Sequence, residues 1–217
     1  DIEAQTQLIH FLILGKRMEL AMEKVILILE KDPENRTAQL HKATIFKAKK
    51  LYHKALAVYD EILASDADSI SALQGKAQVL ALQQKYDEAE TFFLRAIALD
   101  PKQLKNRLAL VTFYTLLKKQ DQVLIQLKEA VEADPQNSEV YILLGNYYFH
   151  KNEFELAEES YLAAIEKSQD KLKPYRIAAN FYENTKQNGK ALEIYQKSLE
   201  ASPGNIGIRN SLARFNY

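Results

Sequence analysis

The chain has 217 residues, with 29 Lys and Arg balancing 29 Asp and Glu, four His, no Cys and no Trp. Zero formal charge argues against a nucleic-acid module, which carries a basic excess for its phosphate contacts; absence of Cys excludes disulfides, thiolate metal sites and Cys nucleophiles. With 47% hydrophobic and 27% charged residues but only six Gly and five Pro, the chain reads as folded and mostly helical.

Four of the prolines, Pro33, Pro101, Pro135 and Pro203, are spaced by multiples of 34 residues. On that period the chain divides into 2–35, 36–69, 70–103, 104–137, 138–171 and 172–205, with a partial unit 206–217 and no insertion. Each unit opens on an apolar-faced first helix. Ile9, Ala43, Ala77, Val111, Gly145 and Ala179 align along it, followed three residues later by Leu12, Phe46, Leu80, Tyr114, Tyr148 and Tyr182. Short polar turns follow (Lys49-Lys50, Gln84-Lys85, Lys151-Asn152), and Tyr52, Tyr86 and Phe154 open the second helix. There, Ala21, Ala55, Ala89, Val123, Ala157 and Ala191 precede Val25, Tyr59, Phe93, Leu127, Tyr161 and Tyr195 by four residues. Three further on stand Ile28, Ile62, Ala96, Ala130, Ala164 and Ser198. A four-then-three spacing is one face of an α-helix, and small residues beside large ones suit close helix packing. Asn35, Ser69, Asn137 and Asn205 are placed as N-caps of the next unit, with the prolines stopping the helix before. One such hairpin cannot bury its face alone, so the units are expected to stack.

These columns resemble the tetratricopeptide repeat (TPR), a 34-residue helix-turn-helix with aromatic, Leu-Gly, Tyr, Ala, Phe and Pro landmarks. Unit 138–171 carries Tyr141, Leu144, Gly145, Tyr148, Ala157, Tyr161 and Ala164; unit 172–205 carries Tyr175, Ala179, Tyr182, Ala191, Tyr195 and Pro203. Departures are Lys42 and Lys76 at an apolar position, Val123 for Ala, and Ala67 and Gln169 for Pro. The resemblance covers essentially the whole chain. It implies an all-α fold, a right-handed α-α superhelix, with residues 1–217 forming a single TPR solenoid. Its flavour is also similar to long bacterial TPR arrays, which leaves cytoplasm and periplasm or cell envelope equally open.

No phosphate-binding loop, dinucleotide fingerprint, zinc-protease helix or nucleophile elbow occurs, so nothing nominates a catalytic or cofactor site. His10 and His41 fall on neighbouring first helices, but two imidazoles without a third ligand make a poor metal site. The pairs Phe113-Tyr114, Tyr147-Tyr148 and Phe181-Tyr182 recur in phase and read as seam packing rather than a base-stacking platform. The groups Lys47-Lys49-Lys50, Lys118-Lys119 and Glu153-Glu155-Glu158-Glu159 read as solvated faces.

In proteins of this family the first helices line a concave groove that holds a peptide or a partner's helix. The positions resembling groove positions, and expected to bind a protein or peptide here, are Thr112, Glu139, Asn146, Phe149, His150, Lys173, Arg176, Asn180, Glu183 and Asn184, with Ile142 beside them. Asn146 and Asn180, 34 residues apart, could grip an extended backbone through donors and an acceptor each, and Arg176 adds a fork for carboxylate. This is similar to part of the clamp with which some TPR cochaperones hold a Glu-Glu-Val-Asp tail. Ile177 and Ser211 stand where a further Asn is wanted, which argues against that ligand. Two alternatives to a groove-binding scaffold remain: a structural spacer or assembly element, and a regulatory array of a larger enzyme. The apolar opening Leu8, Ile9, Phe11, Leu12 and the unfinished unit with Arg209, Leu212, Ala213 and Phe215 lead us to expect that the natural protein continues, and that this chain self-associates through uncapped ends.

Overall fold

A computed structural model describes residues 2–204 and 206–215; at residues 2, 3, 211, 214 and 215 it describes the backbone alone. Asn205, read above as an N-cap, and the side chains of Ser211 and Phe215 therefore lie outside the described residues. Those residues are all-α: Ile2–Leu14 (α1), Met18–Leu29 (α2), Arg36–Ala48 (α3), Tyr52–Ser65 (α4), Ile70–Leu82 (α5), Tyr86–Leu99 (α6), Leu104–Leu116 (α7), Gln120–Ala133 (α8), Ser138–His150 (α9), Phe154–Lys167 (α10), Leu172–Asn184 (α11), Asn188–Ala201 (α12) and Ile206–Phe215 (α13). They form two compact units, Asp1–Phe113 and Tyr114–Tyr217.

Within the first unit α1 packs on α2, α3 on α4 and α5 on α6; α2 meets α3, and α4 meets α5. Its cores follow the repeat. Ile9, Leu12, Ala21, Val25, Ile28, Ala38 and Ile45 form one cluster, and Ala43, Ala55, Val58, Tyr59, Ile62, Ala72 and Val79 another. In the second unit α9 packs on α10 and α11 on α12, with α10 meeting α11 and α12 meeting α13. Tyr148, Ala157, Tyr161, Ala178, Ala179, Phe181, Tyr182, Ala191, Ile194 and Tyr195 form its core. The three columns assigned to the second helix, from Ala21 to Ser198, are buried at every position. The recurring aromatic pairs are buried too, apart from half-buried Tyr147, as expected for packing surfaces.

Helix ends obey local chemistry. The Asn35 side chain accepts from Ala38 N–H at 3.0 Å, and Asn137 from Glu139 N–H at 3.1 Å. Ser69 occupies its N-cap position without a side-chain bond. α4 and α10 stop in register although Ala67 and Gln169 replace proline, so proline is not what ends these helices. The misplaced lysine at 76 is accommodated by its length. Its ammonium sits over the Phe92 ring, 4.4 Å from the centroid, and pairs with Asp60.

Each hairpin turn is built on a left-handed residue that the polar turn composition does not announce. Lys16, Lys50, Gln84, Lys118, Asn152 and Lys186 have φ between 56° and 63°, one per repeat. The same pair of bonds closes all six. At the second turn, Lys50 N–H donates to Lys47 C=O at 3.0 Å and Leu51 N–H to Phe46 C=O at 2.9 Å, the 5→2 and 6→1 bonds of a Schellman cap. None of the six is glycine, although the left-handed region strains any residue with a Cβ. Lys50→Gly is therefore expected to stabilise the first unit by about 0.5–1 kcal/mol. Urea unfolding, with an unchanged slope and a raised midpoint, would show it.

Candidate functional site

The first helices of successive repeats lie beside one another, α1 against α3 and α3 against α5 in one unit, α9 against α11 in the other. That arrangement brings groove positions 34 residues apart into reach. In the second unit Lys173 Nζ sits 2.9 Å from both carboxylate oxygens of Glu139, bridging α11 to α9. Both side chains are about half exposed, so the pair contributes little stability but spends both charges on each other.

The second helices intrude on this wall through tyrosine hydroxyls. Tyr161, on α10 and only 3% exposed, donates its hydroxyl to Asn146 Oδ1 at 2.8 Å. Burial pushes its pKa up to about 12, so it stays a donor at any ordinary pH. Tyr195 on α12 donates to Glu183 Oε1 at 3.0 Å. These tyrosines read as core residues from their column, and their rings are core; the cue for the polar end was Tyr where the column carries Phe93. Asn184 turns inward, donating its amide to the Asn180 carbonyl at 2.7 Å. Phe149 is half-buried, edge-on to Phe181 at 5.8 Å and 6.0 Å from Phe154. His150 is exposed beside Phe149. Ile142 is buried and belongs to the packing rather than to the wall. Thr112 lies in the first unit, exposed, with its hydroxyl donating to Leu108 C=O at 2.7 Å.

What remains after this internal pairing is lopsided. The acceptors Glu139, Glu183 and Asn146 Oδ1 are engaged. The Arg176 guanidinium and the Asn180 amide are exposed and make no side-chain bond within the described protein, and Asn146 keeps its Nδ2 donor. Of the acidic run on α10, Glu158 is not merely solvated: it accepts from the Tyr182 hydroxyl at 2.9 Å and from Lys190 at 2.6 Å, tying three helices together.

The first unit has a different wall. Lys47, its pKa lowered by burial, donates to Gln78, and Gln74 donates to Asn106 at 2.9 Å. His10 and His41 approach with ring centroids 6.5 Å apart. Among the described residues no three His, Cys, Asp or Glu are grouped to hold a metal, and no helix is long and apolar enough to cross a membrane. Burial, then the nearby His10 charge, holds the His41 pKa below its ordinary value. The unfolded chain therefore binds more protons as pH falls below about 6.5. First-unit stability is expected to decline with acidification from there until His41 protonates in the fold as well. A thermal midpoint compared between neutral and acidic buffer should shift less in His41→Gln.

Models of the tetratricopeptide repeat match residues 41–102, 127–159 and 175–205, together more than half of the chain. This chain belongs to the TPR family. Among solved structures, the TPR chain is similar to pilF of Pseudomonas aeruginosa, at 19% identity and a TM-score of 0.59, with 98% of this chain and 96% of that one covered. It is also similar to a tetratricopeptide repeat protein from Parabacteroides merdae, at 16% identity and 0.54, covering 96% and 82%. MamA aligns at 18% identity and 0.51, covering 73% and 92%. At these identities the likeness establishes the TPR fold. No curated protein sequence matches the chain.

Proposed function

We propose that this TPR array is a non-catalytic interaction scaffold whose first-helix wall in the second unit holds an extended peptide or protein segment. The observation that carries this reading is the surplus of donors. Arg176, Asn180 and Asn146 Nδ2 are open while neighbouring acceptors are already occupied. A ligand rich in acceptors fits such a surface, and the carbonyls of an extended backbone are the commonest source. Glu139, Phe149, His150, Lys173, Glu183 and Asn184 would flank it. Thr112 would extend the wall if residues 1–217 form one continuous solenoid.

The test is a pull-down from native lysate with the wild-type chain beside the Asn146→Ala, Arg176→Ala, Asn180→Ala triple variant. Partner capture should fall at least tenfold in the variant, since charge-assisted and amide bonds are lost together, while helicity by circular dichroism is unchanged. Equal capture by both would overturn the groove reading. A second reading, an assembly element, is favoured by Phe11. It is 67% exposed, whereas Ile45, Val79, Phe113 and Phe181 in the same column are buried. Recovery of further copies of this chain alone would favour that role.

A further inference from the structure

The second unit contains a cavity of about 410 Å³ among α11, α12 and α13, lined by Asp170, Lys173, Arg176, Tyr195, Ser198 and Ile208, among others. Two of these positions depart together from the repeat one unit earlier. Where Arg176 stands, the preceding repeat has buried Ile142; where Ser198 stands, it has buried Ala164. Ser198 is 2% exposed and its hydroxyl has no partner within the described residues. Lining the cavity, that hydroxyl offers a donor and an acceptor to a ligand. The Arg176 guanidinium is equally without a partner. In the first unit the position equivalent to Arg176 is Gln74, which instead donates to Asn106.

We infer that this cavity binds a monocarboxylate with a small apolar body. Charge sets the anion's valence. Lys173 is neutralised by Glu139, and Asp170 accepts from Leu172 N–H at 3.0 Å and adds a negative edge. Among the described lining residues Arg176 is then the cation without an ion pair, which suits a monoanion and disfavours a phosphate dianion. Gly207, in the first turn of α13, also lines the cavity, and backbone N–H groups there have no intrahelical acceptor. Leu172, Ile208 and the Tyr195 ring supply apolar wall for the body of the ligand. The carboxylate meets Arg176 as a fork, the Ser198 hydroxyl donates to it, and the aliphatic part displaces water from the leucine and isoleucine. The source is either a free small acid or the carboxylate of a peptide. The proposal shares Lys173 and Arg176 with the groove reading and stands independently of it.

The probes are isovalerate, its neutral isostere isovaleramide, inorganic phosphate, and the dipeptide acetyl-Gly-Leu with its amide, titrated against the full chain and followed through the Gly207 amide by NMR. Isovalerate should saturate, with the amide and phosphate about tenfold weaker or more. Arg176→Gln should weaken isovalerate about tenfold or more. Ser198→Ala, which restores the residue of the preceding repeats, should weaken it several-fold while leaving the thermal midpoint unchanged. Tighter binding of acetyl-Gly-Leu than of isovalerate identifies a peptide as the source, and the reverse a free acid. Equal binding of acid and amide, indifference to Arg176→Gln, or no saturation with any probe overturns the proposal. The groove reading fails or survives separately, by the capture experiment above.

Discussion

Truncating Phe181 to alanine is expected to remove about 3–5 kcal/mol from the second unit, the range for deleting a fully buried aromatic ring. Phe181 is 3% exposed at the centre of a ring cluster, 5.2 Å from the Tyr161 and Tyr182 centroids and 5.8 Å from Phe149. It belongs to the column that faces the preceding hairpin, so the vacated volume opens the seam between α10 and α11 rather than one helix. In a repeat stack each hairpin is held chiefly by its neighbours. Loss at this seam should therefore appear as local opening. Amide exchange would accelerate across α11 and α12 and leave the first unit at its wild-type rate. Uniform acceleration through both units would contradict this picture.

Gly75→Ala sets two opposed effects against each other. In an exposed mid-helix site the substitution gains about 1 kcal/mol in helix propensity. Here a Cβ would fall 2.3 Å from Tyr59 Cζ and 2.4 Å from Cε1. Tyr59 is 2% exposed, so its ring has nowhere to go without disturbing α4. Overpacking of this kind costs about 1–3 kcal/mol, and with direct overlap at ring atoms the upper part of that range prevails. The net expectation is destabilisation of the first unit by about 1–2 kcal/mol. Tyr59→Leu in the same chain should recover much of it, giving a favourable coupling in a double-mutant cycle. A stabilised Gly75→Ala would show that the seam is looser than these distances imply. Gly145 meets Tyr161 in the same manner, with Cε1 at 2.6 Å from the would-be Cβ.

The two glycines also mark how far sequence reasoning reached. Gly145 stood in a recognised landmark column, whereas Gly75 sits two positions earlier in its own repeat and carried no motif. Both are required by a tyrosine that approaches across the packing, a relation between residues 16 apart that no local rule records. The candidate wall shows the same division. Residues on the first-helix face were legible as such because the helical period places them there. That Lys173 would be claimed by Glu139, Asn146 by Tyr161 and Glu183 by Tyr195 was not, since each pairing depends on where a long side chain on another helix ends. Nor did the cavity beside Arg176 leave a trace beyond a serine in a column of alanine and isoleucine.

The sequence by itself determined the 34-residue period, the thirteen helices of the described residues, their buried columns and membership of the TPR family. It could do so because helix formation, capping and amphipathic burial are short-range and are repeated in phase, so each unit corroborates the others. Only the tertiary structure decided which groove side chains remain open to a ligand, which turns adopt the left-handed region without glycine, and where a cavity opens beside Arg176. Those outcomes depend on distances between different helices, where a single hydroxyl or methyl changes which partner is reached, and the period is blind to them.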